Sequence, residues 1–197
     1  LWTASRVTKR GDVVDTYLRS RGVGMEEYPL DLRTLRECRA ERKDCAAMLA
    51  LVRGPDGAAV TLHRTFLRPD GTDKADVTVP RKLMPGEVGK GAAVRLWPKP
   101  VGGVLGVAEG IETALAAAQL HGVPVWALIS AKLMADWTWP DEVKTLRIFA
   151  DRDTKFAGQA AGYALAHRAA CKGLTVTVEM PDRDGLDWAD VAAGRSM

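Results

Sequence analysis

The stretch that most constrains this chain is VAEGIETALA, residues 107–116. A short apolar run from Val104 leads into Glu109 and Gly110, and an alanine-rich segment with helical spacing follows. The pattern predicts a strand, a tight turn and a helix, with a carboxylate at the strand's end. In an open α/β sheet, ligands bind at the carboxyl ends of the strands, so Glu109 stands where chemistry is expected. The pattern recurs. LRIFADRD places Asp151 and Asp153 after another strand-like run, and TVTVEM is followed by a third acidic group, Asp184, Asp187 and Asp190.

From Val104 onward the spacing predicts strand 104–109, helix 111–121, strand 123–129, a short helix 132–137, strand 146–150, helix 157–172, strand 174–180 and a last helix 187–193. Strands alternating with helices imply an α/β fold, a parallel sheet flanked by helices. The first half reads differently. Residues 12–21 predict an amphipathic helix that Asp12 can cap and Gly22 can stop. Strands over 46–52 and 58–67 are joined by the turn GPDG, a second turn RPDG follows, and VRLWP (94–98) predicts another strand. This is a smaller, mainly antiparallel α+β unit rich in basic residues. The segment PKPVGG (98–103) is the best boundary, dividing the chain into 1–102 and 103–197. Arg33, Arg36, Arg39, Arg42 and Lys43 could form a basic face; a solvated surface is the default reading and phosphate contact the sharper one.

The 197 residues carry a net charge of only +3, so the whole-chain field argues little for nucleic acid. The distribution is more informative, with many basic residues before position 100 and the three acidic groups after it. No apolar run reaches the length of a membrane span, and the opening residues lack a secretory leader pattern. Cys38, Cys45 and Cys171 form neither a CxxC pair nor a zinc-finger array, and free thiols in a reducing cytoplasm are the expectation. His63, His121 and His167 are scattered and read as structural or exposed. The chain opens on Leu1, as a piece of a longer protein would.

Carboxylates at the ends of hydrophobic strands are a common way to hold Mg²⁺, a hard cation that keeps several waters beside a phosphate. Asp151 and Asp153 can converge on one ion while Arg152 points elsewhere. Glu109 can supply a further carboxylate or act as general acid or base, and Asp187 and Asp190 can complete a second site. Two metals about 4 Å apart would stabilise the attacking and leaving oxygens of phosphoryl transfer. Singly, each group has a plainer explanation: a lone DxD is common on surfaces, and Asp187 fits a helix cap. Three such groups, each after a strand of one α/β unit, favour the metal.

VAEGIETALA, FADRD and GLDWADV, in that order, resemble the three signatures of the Toprim domain, shared by bacterial-type primases, type IA and II topoisomerases and some nucleases. The resemblance covers about Val104 to Ala193. It implies that Glu109 takes the place of the family's glutamate, that Asp151 and Asp153 are the metal-binding DxD, and that Asp187, with Asp190, matches the acids of the third primase motif. LHRTFL, a Pro-Asp-Gly turn, Lys74, the pair Arg81–Lys82 and AVRLWP resemble the region before Toprim in phage- and plasmid-encoded primases. By that likeness Arg64, Lys74, Lys82 and Arg95 would contact template or nucleotide phosphates. Ser130 and Lys132, in ALISAK, would face the nucleotide, and Lys155, after the DxD, would touch phosphate.

The sequence departs from cellular primases in two places. The acid expected four residues after the glutamate is Thr113 here, with Glu112 one earlier. The stretch between the DxD and Gly158 is longer. The implied activity is primer synthesis in DNA replication: metal-dependent nucleotidyl transfer from NTPs on single-stranded DNA, with Mg²⁺ or Mn²⁺ as cofactor and a replicative helicase among the implied partners. The same acids would serve a Toprim nuclease or sit in a non-catalytic nucleic-acid-binding module. The basic first half favours the primase, and the length leaves no room for a topoisomerase's tyrosine-bearing domain.

Overall fold

The computed structural model describes residues 1–195. In the first half, β1 (Arg6–Val7) is followed by α1 (Val13–Ser20), then β2 (Leu32–Ala40), β3 (Lys43–Arg53), β4 (Ala59–Leu67), β5 (Arg81–Leu83) and β6 (Ala93–Val94). The β1/β2, β2/β3, β3/β4 and β4/β5 pairs are all antiparallel. The second half runs β7 (Val104–Ala108), α2 (Ile111–His121), β8 (Val125–Ala127), α3 (Ala131–Asp136), β9 (Thr145–Phe149), α4 (Ala157–Cys171), β10 (Thr175–Glu179) and α5 (Trp188–Ala192). Its strands are parallel in the order β8-β7-β9-β10. The α/β reading and the antiparallel first half are both present.

The halves are sewn into one ten-stranded sheet by β6, which pairs antiparallel with β3 at Val52↔Val94 and with β8 at Val94↔Ala127. The core is shared as well. Val14, Tyr17 and Leu18 of α1 pack in one cluster with Met48, Ala50 and Val52 of β3, with Leu115 and Ala117 of α2, and with Trp188 of α5. On the opposite face, Met134, Trp137 and Leu165 from the α3/α4 side cover Val107, Trp126 and Ile148. Alanine dominates α2 (Ala114, Ala116, Ala117 and Ala118 are all buried), and side chains this small let the helix lie close against the strands. Among the described residues no helix is long and apolar enough to cross a membrane.

Two expectations change. The strand expected over 94–98 shrinks to Ala93–Val94, because Leu96 N–H folds back onto the Val94 carbonyl and Pro98 has no N–H to offer a ladder. The stretch 31–45, read as a basic face, is the β2–β3 hairpin, and its charges are spent locally. Arg33 lies over the Trp2 ring at 4.7 Å, Arg39 pairs with Asp44 at 3.2 Å, and Arg36 reaches Asp12 at 3.5 Å. The hairpin's two-residue turn, Glu41–Arg42, has positive φ at both positions (50° and 66°). Such turns usually carry Asn-Gly; here the Glu41 carboxylate accepts the Thr78 N–H at 3.0 Å, tying the turn to the segment before β5.

Gly106 sits where a Cβ would lie 2.7 Å from Val125 Cγ2 and 2.8 Å from Phe149 Cε2. Gly106→Ala is expected to destabilise the fold by about 1–3 kcal/mol, read as a lower urea midpoint at unchanged m-value.

Candidate active site

Glu109 follows β7 directly, Asp151 follows β9 by one residue, and Asp187 opens α5. The topology therefore brings three acids, far apart in sequence, to the carboxyl rim of the parallel strands. Glu109, Asp151 and Asp187 line one cleft of about 70 Å³ with Glu112, His63 and Arg81. Asp153 joins them electrostatically. Burial raises the Asp151 carboxyl, and the neighbouring charges of Asp187, Glu109 and Asp153 push it further, up to about 7. Glu109 is raised for the same reasons, first burial and then Asp153, although the nearby Ala131 N–H draws it down. Asp187 is raised mainly by burial.

Each acid has a different anchor. Asp153 Oδ2 accepts the Gly158 N–H at 2.7 Å, and its carbonyl accepts the Gln159 amide at 2.8 Å, so the DxD is bolted to the start of α4. A Cβ on Gly158 would stand 2.8 Å from the Asp151 carbonyl, which requires glycine there. Asp187 accepts the Asp190 N–H at 2.8 Å, and Asp190 returns the bond to the Asp187 N–H, a capping box. Asp190 is further held by Arg195 at 2.9 Å. Arg152 turns away from the cleft to Asp184, at 2.8 Å. Asp151 Oδ1 is buried without a hydrogen-bond partner. Among the described residues no three His, Cys, Asp or Glu side chains form a ready cation cage. A crowded set of carboxylates with one orphaned buried oxygen nevertheless suits a hard divalent cation.

The loop beside Glu109 is strained. Ile129, a β-branched residue, has φ 73°, and the Ser130 N–H bonds back to the Leu128 carbonyl at 2.8 Å. The Ile129 N–H is held by the Glu109 carbonyl at 2.8 Å. The Ser130 hydroxyl accepts the Leu133 N–H and so caps α3; Lys132 is exposed on the first turn of that helix, and Lys155 is exposed on the loop before α4.

The cationic wall comes from the first half, by residues only partly anticipated. On β4 and β5 the register pairs Thr65 with Arg81 and Arg64 with Lys82. Alternation puts each pair on one face: His63, Thr65 and Arg81 face the acids, while Arg64 and Lys82 face away. Arg64 lines a separate cavity of about 250 Å³ beside Cys38 and Phe66. Arg95 donates to the Gly54 and Pro55 carbonyls, packs over Trp126 at 4.7 Å and lines a cavity of about 690 Å³ that shares no residue with the acid cleft. Of the basic residues singled out from the sequence, Lys74 stands within the field of Arg81 and Glu112, and burial lowers its pKa. Arg21, which sequence reasoning missed, reaches Asp187 at 3.2 Å and Asp190 at 3.6 Å.

Glu112 ties this wall to the sheet. It is buried, accepts the Tyr17 hydroxyl at 2.7 Å and pairs with Arg81 at 3.2 Å. Burial alone would raise its pKa, but Arg81 and the Tyr17 hydroxyl hold it below the usual carboxylate range. His63 is pushed down to about 4 by burial, and it stays neutral in the cleft.

Residues 104–196 match the Toprim domain family, so the second half of the chain carries a Toprim domain. Residues 1–96 match a domain of unknown function, DUF7146. The whole chain has the fold of primase catalytic cores. The primase fragment of the bacteriophage T7 primase-helicase superposes with TM-score 0.57 at 17% identity, covering 98% of this chain and 74% of that one. The zinc-binding and RNA polymerase domains of the Aquifex aeolicus primase give 0.56 at 14% identity, covering 91% and 52%. A Pseudomonas aeruginosa DNA primase domain gives 0.52 at 16%, covering 80% and 51%. The chain thus spans about half the length of these bacterial primases, and at such identities the likeness is one of fold. No curated protein sequence matches it.

Two variants test the electrostatics. With its carboxyl raised to about 7, folded Asp151 keeps a proton that the unfolded chain has already released, so in metal-free buffer stability should fall as pH rises from about 4 to about 7. Asp151→Asn should flatten that slope and stabilise the chain by about 1–3 kcal/mol at pH 8, measured by denaturant unfolding at pH 5 and pH 8. Glu112→Gln leaves Arg81 without its charge partner and should cost about 1–3 kcal/mol at neutral pH. Because the Glu112 pKa is lowered on folding, the loss should shrink as the pH drops below the ordinary glutamate value.

Proposed function

We propose that this chain is the catalytic core of a DNA primase, joining NTPs into short RNA primers on single-stranded DNA. The observation that carries the reading is the facing of two walls: Glu109, Asp151 and Asp187 on the carboxyl rim, and Arg81 from the preceding half across one cleft. A nuclease needs only the acids. A polymerase must also hold the triphosphate of an incoming nucleotide, and a guanidinium fixed beside the metal-binding carboxylates suits that task.

In this reading Asp151, Asp153 and Asp187 hold Mg²⁺ or Mn²⁺, with Glu109 as a further ligand or proton acceptor for the attacking 3′-hydroxyl. The cation, when bound, neutralises the crowded carboxylates and the developing charge on the phosphate. Arg81 and Lys74 bind phosphate oxygens, and Glu112 and Tyr17 keep the guanidinium of Arg81 in place. Asp190 and Arg21 orient Asp187. Lys132 and Lys155 stand exposed near the rim to meet the strand. The solved relatives point the same way: one primase catalytic domain was determined bound to single-stranded DNA, and the T7 primase domains were determined on an RNA/DNA hybrid with a DNA polymerase. The T7 relative is itself a primase-helicase, so a replicative helicase is a fitting partner, and the cytoplasm is the fitting compartment.

The test is incubation with single-stranded DNA, labelled NTPs and Mg²⁺ or Mn²⁺. Labelled oligoribonucleotides are expected, with Asp151→Asn lowering the rate on the order of 100-fold or more and Arg81→Ala raising the KM for NTPs. Shortened DNA in place of primers would make the chain a nuclease. Binding that survives EDTA with no turnover would make it a non-catalytic module.

A further inference from the structure

Two of the large apolar side chains that the fold leaves in water stand at the start of α4 and on it: Phe156, its N-cap residue, is 66% exposed and Tyr163 55%. Phe156 stands just before the first turn and Tyr163 in the second, with exposed Ala160 between them in sequence. Phe156 opens the helix in the left-handed conformation, with φ 61° and ψ 19°. Glycine or asparagine is the usual occupant of that region, and an aromatic side chain is disfavoured there. Hydrogen bonds to Asp153 and Ala160 hold the backbone in this shape, but the ring gains nothing from it inside the fold, since Phe156 belongs to none of the apolar clusters of the described residues. A residue that is both strained and solvent-facing is accounted for by something outside the fold.

Its position says what. The Phe156 N–H donates to the Asp153 carbonyl at 3.1 Å, its carbonyl accepts the Ala160 N–H at 2.9 Å, and two residues on, Gly158 donates to the Asp153 carboxylate at 2.7 Å. The backbone of Phe156 is thus tied to Asp153, the acid next but one to the cleft's Asp151, with exposed Lys155 adjacent in sequence. A phosphate placed against carboxylates is repelled, whereas the flat face of a neutral base is not. Aromatic faces with a nearby cation are how proteins hold unpaired bases. Phosphates of the same strand would then lie toward Arg81 and Lys74, on the cationic side.

We propose that Phe156, with Tyr163 further along the helix and Lys155 beside it, is a stacking platform for an unpaired base of the polynucleotide strand held at the acid cleft. The inference rests on the primase reading for the identity of that strand. The extra residues between the DxD and Gly158 are then a binding device, carrying the ring to the rim of the cleft.

The test is an oligodeoxynucleotide containing 2-aminopurine, whose fluorescence falls when the base stacks, added to the chain with Ca²⁺ in place of Mg²⁺ and no NTPs. The wild-type chain should quench the probe. Phe156→Ala should abolish most of the quenching and weaken binding about tenfold, within the range known for base–aromatic stacking, while Phe156→Trp restores both. Phe156→Gly should bind as poorly as the alanine variant yet melt no lower, because glycine accepts positive φ. Unchanged quenching and affinity in Phe156→Ala would overturn the proposal, as would equal loss in the alanine and tryptophan variants. Primer synthesis is assayed in parallel. Quenching without primers would sink the primase reading and leave the platform standing; primers made by a Phe156→Ala chain of unchanged affinity would do the reverse.

Discussion

The structure turns on Glu112. One carboxylate in the first turn of α2 grips the Tyr17 hydroxyl of α1 and the Arg81 guanidinium of β5. A buried charge is tolerable only when it is paired and hydrogen-bonded, so all three elements must arrive together or none is stable there. The arrangement has a second effect. Arg81 is the cation that offsets the crowding at Glu109 and Asp151, as Arg21 does at Asp187, and Glu112 is what keeps Arg81 at their side. Structural and chemical demands meet in a single ion pair, which lies where the departure from the cellular primase pattern lies: the acid stands one position earlier, and it faces the first half of the chain.

Much of the second half was legible because its signals are strong and local. Helix 111–121 and the strands ending at Glu109 and Asp151 follow from apolar runs cut off by glycine or by acids, and these are the elements that place the cleft. The first half hid more. β2 reads as a charged surface because only Leu32, Thr34 and Leu35 of its nine residues are buried, and its turn carries Glu-Arg where the sequence signal would be Asn-Gly. β5 has three residues, too few for any period to show. Its importance lies in register: one step of pairing decides that Arg81 faces the acids and Lys82 the far side. No composition or motif carries that information, and so Arg64 and Lys82 were singled out where Arg81 is the residue on the wall. Arg21 was hidden for a similar reason, since nothing near it in sequence announces Asp187, 166 positions on.

Strain is unevenly spread. Of the four non-glycine residues with positive φ among the described residues, Glu41 and Arg42 form a hairpin turn, and the other two, Ile129 and Phe156, flank the acids on the loops after β8 and β9. Ile129 is clamped by the Glu109 carbonyl, and Phe156 is clamped by the Asp153 carbonyl. The rim is thus built from loops whose backbones are held in costly shapes by bonds to the strand ends, the usual situation where geometry has been selected over comfort.

The suture at β6 and the cluster around α1 and α2 have a consequence for anyone dissecting this chain. The linker at 98–103 looks like an invitation to cut. Yet Val94 is shared by strands from both sides, and Val14, Tyr17 and Leu18 lie against Leu115 and Ala117. Severing the chain there would yield two pieces, each with half a greasy seam laid bare, that could fold only by finding each other again. Two families of sequence run through this polypeptide, but they share one sheet and one apolar cluster, and the natural way to study either is in the company of the other.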